Sequence, residues 1–326
     1  MIHETIKTRV VGVDIQIDTT TLAVIDVRGN IIARESFNTG TNPNIGDFAS
    51  VLSEQVVTLV ENNGGYESIR SLGICSPSAN YMTSCIENAP NLPWKGVVPL
   101  AARMRDRLGL AVALGNNAYA RGLGELAFGV AHGMKNFVLM TLGGGVGSSI
   151  FTNGQYYSGG DGFAGEVGHS LAVHDGRQCG CGNKGCLEMY CSRKGILMTA
   201  QEVMAESDVP SKMRLTEALT PEIIVSFCEM GDELAIETMR RTGDYLGRGL
   251  SIYATIINPE AFIFTGSVSH LGDWLFDPAW ESFNDHVFHN IKGKVKFLPS
   301  QFDEKEANLL GASVLAWNVK EYSLFK

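Results

Sequence analysis

The chain contains 326 residues, of which 44% are hydrophobic and 19% charged, a composition typical of a globular protein with one large or two smaller domains. Its formal charge of -9 at pH 7, without any Lys/Arg-rich block, argues against a nucleic-acid-binding surface. No run approaches the roughly 20 apolar residues of a membrane span, and the first residues lack the apolar stretch of a signal peptide. We therefore expect a cytoplasmic protein, with no membrane partner, whose clustered cysteines bind metal because disulfides are rare in a reducing compartment.

The first third of the chain combines alternating apolar patterns with apolar residues at helical spacing. In chain order, the predicted elements are strands over 11–18, 19–27 and 31–37, a helix between Phe48 and Val60, a strand over 68–75, a helix over 97–109, a strand over 110–114 and a helix over 118–133. This order is β-β-β-α-β-α-β-α, which indicates an α/β domain.

The rest of the chain begins with a second pair of apolar strands and contains a glycine- and cysteine-rich segment. The predicted elements are strands over 136–142 and 145–154, helices over 194–206, 221–230 and 232–257, strands over 261–266 and 294–300, and a helix over 304–319. The two β-rich starts, near residues 9 and 136, predict two similarly built α/β lobes. Ligands of such proteins bind in the crevice between lobes.

The segment GEVGHSLAVHDGRQCGCGNKGCLE, residues 165–188, contains the metal-ligand types of a structural zinc site. We predict His169, Cys179, Cys181 and Cys186 as ligands, with His174 as the alternative to His169. Four protein ligands leave no open position for a reacting water, so the ion would fix the loop. The competing interpretation is a group of reduced, buried cysteines with nearby turns.

Several motifs make the chain resemble the ROK family (repressor, ORF, kinase), in particular its bacterial glucokinase-like members. They are GFAGEVGH at 162–169, GCLE at 185–188, ENAPNLPWKGVVPL at 87–100 and LLGASVLAW at 309–317. The resemblance, which runs from Val10 to the last helix, implies two actin-like, hexokinase-like (ribonuclease H-like) α/β lobes with an interlobe cleft. It places residues 1–117 and 311–326 in a smaller lobe and 118–310, with the zinc loop, in a larger one. It also implies a homodimer.

The resemblance assigns the sugar-binding residues by motif. The family's hexose ligands correspond to Asn116, Glu166, His169 and Glu188, while Asn80 and Asn91 are candidates for the rim of the site. Carboxylates and amides suit sugar hydroxyls because they supply fixed acceptors and donors. His169 would bind zinc through one ring nitrogen and the sugar through the other.

The catalytic and nucleotide-binding motifs depart from the family pattern. The family's catalytic Asp, which accepts the proton of the attacking hydroxyl, is replaced by Asn117, whose amide cannot accept that proton. Loss of a general base commonly costs about 10²–10⁴-fold in rate. The usual Asp-x-Gly-Gly-Thr turn reads Asp14-Ile15-Gln16-Ile17-Asp18, and β-branched Ile17 suits a positive φ poorly. Asp18 would bring a second negative charge to phosphate, a repulsion of about 4 kcal/mol at 4 Å and an effective dielectric constant near 20.

Two further nucleotide motifs are partly retained. The second phosphate loop, usually Gly-Thr-Gly-x-Gly, is Gly143-Gly144-Gly145-Val146-Gly147, which loses the Thr hydroxyl but keeps a glycine-rich backbone. A glycine run alone is also compatible with a simple tight turn. The adenosine-side turn, usually Gly-Gly-Gly, is Thr265-Gly266-Ser267.

These departures concentrate on the nucleotide side and lead to three hypotheses. The first is a sugar-binding pseudokinase or sugar sensor, with a hexose or hexose derivative as its small-molecule partner. The second is an active ATP-dependent, glucokinase-like hexose kinase, which alone would require Mg²⁺ and ATP. The third is a sugar-responsive transcriptional regulator. Since only about nine residues precede the first strand, we expect no DNA-binding helices in this chain and no direct nucleic-acid contact.

Overall fold

The computed structural model describes residues 7–319, apart from the side chain of Glu304, as two compact units. The first unit comprises the described residues up to Gly133, Ser158–Ala164 and the described residues from Gln301 onward, and the second comprises Met134–Tyr157 and Gly165–Ser300. Residues 118–133, 158–164 and 301–310, which the sequence analysis assigned to the larger lobe, thus lie in the first unit.

The first unit is built on a five-stranded mixed sheet. Its elements before Gly133 are β1 (Arg9–Ile15), β2 (Thr19–Asp26), β3 (Ile31–Asn38), α1 (Ile45–Glu61), β4 (Ile69–Cys75), β5 (Ala79–Asn80), β6 (Cys85–Glu87), β7 (Val97–Val98), α2 (Leu100–Leu108), β8 (Ala111–Gly115) and α3 (Asn117–Phe128). The large sheet has the order β3-β2-β1-β4-β8, with β1, β4 and β8 parallel. The short strands β5, β6 and β7 form a separate sheet that the sequence analysis did not predict. Burial of β1 and β4 on both faces explains their nearly continuous apolar sequences.

The first predicted strand is too long by three residues. Its apolar alternation continues to Asp18, but β1 ends at Ile15 because the chain must reverse to pair β1 with β2. The backbone N–H of Gln16 donates to the carbonyl of Thr19 at 3.0 Å and closes this turn. Gln16, Ile17 and Asp18 therefore lie in a turn at the end of the central strand.

The second unit contains another five-stranded sheet, of order β11-β10-β9-β12-β13, together with a group of helices. Its elements are β9 (Phe137–Leu142), β10 (Val146–Thr152), β11 (Gln155–Tyr156), α4 (Glu188–Cys191), α5 (Arg193–Glu206), α6 (Pro221–Glu229), α7 (Glu233–Ile257), β12 (Ala261–Thr265), α8 (Asp273–His286) and β13 (Lys296–Pro299). Helix α8, for which the sequence analysis made no prediction, packs along α7. None of the helices in the described part of the chain combines the length and apolar character that crossing a membrane requires.

The last helix, α9 (Glu304–Asn318), completes the first unit by covering β1 and β4. A Cβ atom on Gly73 of β4 would lie 1.9 Å from the carbonyl oxygen of Ala312, so only glycine permits this close approach. The Ser71 hydroxyl donates to the carbonyl of Ala316 at 2.7 Å and fixes the helix on the sheet. Helix α9 also packs against α3, which explains why α3 belongs to this unit.

Candidate functional site

Three parallel strands of the first unit end in one row. Asp14 of β1 lies beside Cys75 of β4, and Cys75 lies beside Gly115 of β8. Asn116 and Asn117 follow Gly115 directly. In open α/β sheets, ligands bind outside the carboxyl ends of such strands, so this row marks the candidate site of the first unit.

The carboxylate of Asp14 is buried and hydrogen-bonded through both oxygens. Its Oδ1 accepts from Nε2 of Gln16 at 2.6 Å and from the thiol of Cys75 at 3.5 Å, while Oδ2 accepts from Nδ2 of Asn308 at 3.0 Å. Nε of Arg121 donates to Oδ1 of Asn308 at 2.7 Å behind this contact. Burial raises the pKa of Asp14, although the hydrogen bonds from Asn308, Gln16 and Cys75 oppose that shift.

The turn after β1 carries side chains where the family has glycines. Ile17 and Asp18 are both exposed, and neither is among the residues with a positive φ in the described part of the chain. The backbone has therefore adopted a turn that β-branched Ile17 tolerates, so the expected strain at this residue is absent. The backbone N–H of Thr39 donates to the carbonyl of Asp18 at 2.9 Å and holds the turn.

Asn116 is the N-cap of α3. Its Oδ1 accepts a hydrogen bond from the backbone N–H of Tyr119 at 2.7 Å, as expected for an asparagine at this position. The cap uses the carboxamide oxygen, so the nitrogen is the group through which Asn116 would bind a ligand acceptor. The ring of Tyr119 meets the ring of Tyr81 edge-on, with centroids 5.1 Å apart, beside this end of the helix.

Asn117, at the position of the usual catalytic Asp, presents an unusual acceptor. Within the described part of the chain, its Oδ1 is buried and has no hydrogen-bond partner. An unsatisfied buried polar atom costs about 1–3 kcal/mol, and such atoms in native proteins require an explanation. A hydroxyl donor from a ligand would satisfy this atom.

The two rim candidates differ in their surroundings. Asn80 is buried; its Nδ2 donates to the carbonyl of Asp161 at 3.0 Å, and its Oδ1 accepts from the backbone N–H of Met82 at 2.9 Å. The bond to Asp161 links Asn80 to the 158–164 segment, which belongs to the first unit. Asn91 is exposed in a turn between β6 and β7.

In the second unit, the four predicted metal ligands lie together. The ligand atoms of His169, Cys179, Cys181 and Cys186 are all within 4.8 Å of one another. The sulfurs of Cys181 and Cys186 are 3.6 Å apart, close to the edge of about 3.8 Å of a tetrahedron with Zn–S bonds of about 2.3 Å. The alternative ligand His174 is exposed, paired with Asp175, and is not part of this cluster.

Arg177, two residues before the first cysteine, anchors the cysteine loop and was not predicted from the sequence. Its guanidinium is buried and donates to the carbonyls of Met189 and Gly195 at 2.6 and 2.9 Å. It also pairs with Glu202 and lies over the ring of Tyr190, 4.4 Å from its centroid. Arg177 thus fixes the cysteine loop, residues 177–187, to α4 and α5.

Glu166, His169 and Glu188, the predicted sugar-binding residues of this unit, are also neighbours. Glu166 precedes the 3-10 turn Val167–His169, and Glu188 begins α4 after Cys186. Although Glu166 is exposed as a residue, desolvation of its carboxyl group raises its pKa; His169 opposes this shift and Glu188 adds to it. Oε1 of Glu188 lies 4.0 Å from Sγ of Cys179, so this carboxylate borders the metal cluster.

The glycine run between β9 and β10 makes room for Glu188. The backbone N–H of Val146 donates to Oε2 of Glu188 at 3.0 Å, and a Cβ on Gly145 would lie only 2.6 Å from that oxygen. Gly144 has open space around its Cβ position, and Gly143 lies near Ser267, directly after Gly266. The structure therefore gives Gly145 a role in positioning a carboxylate as well as in forming a turn.

The residues present suit the two implied cofactors, zinc and a magnesium nucleotide, to different degrees. Three thiolates and an imidazole at these separations suit zinc, which would be held by four protein ligands and would stabilise the loop. A magnesium nucleotide requires carboxylate oxygens that face the cation or its waters. Here both oxygens of Asp14 accept protein donors, so a cation would have to compete with these donors, and Asp18 is an exposed carboxylate on the turn.

Comparisons with known proteins agree with this architecture. The chain is 31% identical over 316 residues to a glucokinase of Streptomyces coelicolor, which covers 94% of this chain and 96% of that protein. It is 25% identical over 305 residues to a xylose repressor of Bacillus spizizenii, covering 93% of this chain and 75% of the repressor.

A solved structure, the ROK family glucokinase from Streptomyces griseus in complex with glucose and AMPPNP, matches with a TM-score of 0.72 and 28% identity over 95% of this chain and 99% of that one. This likeness confirms the expected hexokinase-like, actin-like ATPase fold. The model of the ROK family matches residues 10–319. The chain therefore belongs to the ROK family, as a glucokinase-like member.

Proposed function

We propose that this protein binds a hexose or hexose derivative and has lost, or retains only weakly, ATP-dependent phosphoryl transfer to it. The chain would then act as a sugar sensor or a sugar-binding pseudokinase. Within the first unit the candidate sugar-binding residues are Asn116 and Asn117, and within the second unit they are Glu166, His169 and Glu188.

One observation carries this proposal: Oδ1 of Asn117 is a buried acceptor without a partner at the position of the usual base. A sugar hydroxyl can donate to this oxygen, which supports sugar binding. The same amide cannot accept the proton of that hydroxyl, which removes the general base of the reaction. The paired state of Asp14 weakens the nucleotide side independently.

A structural zinc belongs to the same proposal. Bound by His169, Cys179, Cys181 and Cys186, it would fix the loop that carries Glu166 and Glu188. The contact of Glu188 with Val146 and its proximity to Cys179 support this role, because the carboxylate is held between the glycine turn and the cysteine loop.

Calorimetry of the full chain tests the proposal. We expect glucose, mannose or an N-acetylated amino sugar to bind with micromolar-to-millimolar affinity, while Mg-ATP gives no binding heat with or without the sugar. Tight Mg-ATP binding would overturn the claim of a weakened nucleotide site. Absence of binding to every hexose tested would overturn the claim of sugar binding.

The second candidate function is an active glucokinase-like hexose kinase, favoured by the 31% identity to a glucokinase over nearly the whole chain. Phosphoryl transfer depends mainly on positioning and electrostatics, so a missing base lowers the rate without forbidding the reaction. A coupled ADP-release assay across the same hexoses separates the candidates. Sustained sugar-dependent turnover would favour the kinase.

The similarity to a xylose repressor supports a third candidate, a sugar-responsive transcriptional regulator. Its test is binding of a second protein that changes when sugar is added. We further propose a cytoplasmic homodimer without direct nucleic-acid contact, which is checked by localisation, by sedimentation and by titration with duplex DNA.

A further inference from the structure

Gln16 is the most exposed of the three side chains that donate hydrogen bonds to Asp14. Its Nε2 lies 2.6 Å from Oδ1 of Asp14, whereas the Cys75 thiol, a weaker donor, lies 3.5 Å from the same oxygen. Gln16 is half-buried on the turn after β1, while Cys75 is fully buried behind it. The side chain that faces Asp14 from the solvent side is thus an uncharged amide donor.

The inner side of the same carboxylate is closed by helix α9. Nδ2 of Asn308 donates to Oδ2 at 3.0 Å, and the buried Arg121 donates to the amide oxygen of Asn308 at 2.7 Å. Burial raises the pKa of Asp14, and the Arg121 charge behind Asn308 opposes that shift. Of the three side chains that hydrogen-bond Asp14, Cys75 and Asn308 are buried and Gln16 is half-buried, so Gln16 lies nearest to solvent.

We propose that Gln16 is the specificity-determining residue that closes Asp14 to divalent cations and restricts this end of the sheet to uncharged ligands. This inference rests on the proposed function, because that proposal identifies the uncharged ligand as a sugar. Hard cations compete with hydrogen-bond donors for carboxylate lone pairs, and Oδ1 of Asp14 accepts from both Gln16 and Cys75. The amides of Gln16 and Asn116 directly follow β1 and β8, and amides match neutral hydroxyls.

The neighbouring residues do not replace Gln16 in this role. Ile17 has no polar side-chain atom, and the Asp18 carboxylate is exposed to solvent two residues further on. An aliphatic side chain at position 16 would leave Oδ1 with only the weak thiol donor. Removal of the amide therefore exposes a carboxylate with one poorly paired oxygen.

The test is a calorimetric titration of the full chain with Mn²⁺-ATP. We expect Gln16→Ala to raise the association constant of Mn²⁺-ATP about tenfold or more over wild type, because a hydrogen bond to a charged group contributes on this order. Gln16→Glu, which adds a second carboxylate beside Asp14, is expected to raise it further. Gln55→Ala, a half-buried glutamine on α1 of the same unit, should leave it unchanged.

Each result decides the inference. Equal Mn²⁺-ATP binding by wild type, Gln16→Ala and Gln16→Glu would overturn it, at whatever affinity they bind. If Gln16→Ala fails to fold, Gln16→Glu against wild type decides alone. Glucose calorimetry on the same samples separates the two proposals: cation binding gained without any glucose binding keeps the role of Gln16 and removes the proposed sugar function. Glucose binding together with equal Mn²⁺-ATP binding by all three proteins keeps the proposed sugar function and removes the role of Gln16.

Discussion

The carboxamide of Asn117 accepts hydrogen bonds but not protons, and this difference from a carboxylate predicts what one substitution can restore. Asn117→Asp supplies a base but leaves Asp14 paired with Gln16. We expect ATP-dependent hexose phosphorylation to rise by less than about tenfold, well below the 10²–10⁴-fold typical of a general base. A coupled ADP-release assay measures this, with Gln55→Ala as the control. A rise of a hundredfold or more would show that the turn after β1 does not oppose the nucleotide.

The raised pKa of Asp14 predicts how stability depends on pH. Because burial raises the pKa above its usual value of 3.8, the folded chain binds this proton more tightly than the unfolded chain does. The contribution of Asp14 to the free energy of unfolding is fully present below the unfolded pKa and is lost as the pH rises through the folded pKa.

We therefore expect the free energy of unfolding of wild type, relative to Asp14→Asn, to fall as the pH is raised from about 4 toward 7. Urea unfolding of both proteins at several pH values measures the difference. A relative free energy that increases with pH would mean that the hydrogen bonds to Asp14 outweigh its desolvation.

The surroundings of Gly144 and Gly145 differ, so alanine substitutions at these two adjacent glycines should affect hexose binding differently. Gly145→Ala places a Cβ 2.6 Å from Oε2 of Glu188 and must displace that carboxylate, whereas Gly144→Ala meets nothing within 4 Å. We expect Gly145→Ala to weaken hexose binding about tenfold or more, since hydrogen bonds to charged groups contribute on that order. Gly144→Ala should bind sugar as wild type does in the same calorimetric titration. Equal losses in both variants would argue that the turn, and not Glu188, sets the affinity.

At the scale of elements, the proposed zinc ion and the buried Arg177 are expected to shape the cysteine loop, residues 177–187. Short backbone contacts, such as Cys179 N–H to the carbonyl of Asn183 at 2.8 Å, shape its tip. Arg177 fixes its base to α4 and α5 through Met189 and Gly195. Metal binding and this ionic anchor are expected to determine the conformation of the loop.

Metal content tests the first of these contributions. We expect one zinc ion per chain and, for Cys186→Ser, loss of the ion together with a destabilisation on the order of several kcal/mol. Elemental analysis and thermal unfolding give the two readouts. Cys85→Ser, a half-buried cysteine in the other unit, is the matched control and should retain the zinc. Full zinc occupancy in Cys186→Ser would exclude this cysteine as a ligand.

At the scale of the whole molecule, sugar binding should stabilise the folded chain. A ligand at about 100 times its dissociation constant contributes about 2.7 kcal/mol to the free energy of unfolding if it binds only the folded state. We expect glucose or the preferred hexose to raise the unfolding temperature, and Mg-ATP to leave it unchanged. An increase in the unfolding temperature produced by Mg-ATP alone would contradict the proposed loss of nucleotide binding.

Sedimentation should give twice the chain mass of 35.3 kDa if the proposed homodimer forms.

Local sequence patterns predicted the strands and helices that have strong periodicity. The helix ending at Ile257 and the strand Ala261–Thr265 were expected nearly as they occur, because apolar spacing follows directly from which face is buried. Apolar alternation failed at Gln16–Asp18, where pairing of β1 with β2 requires a turn. It also gave no prediction for the small sheet β5-β6-β7, whose strands are two or three residues long.

Residue identity and spacing alone predict the family, the types of the proposed metal ligands and an asparagine, Asn117, where the family pattern has its catalytic Asp. The pairing of Asp14 with Gln16 and with Asn308, 294 positions away, and the contacts of Arg177 with the cysteine loop became visible only in the folded chain. Such contacts depend on how α9 packs on the sheet and how the loop meets the helices. Hydrogen bonding between distant residues leaves no periodic signal in the sequence, so the state of the buried carboxylate became visible only in the folded chain.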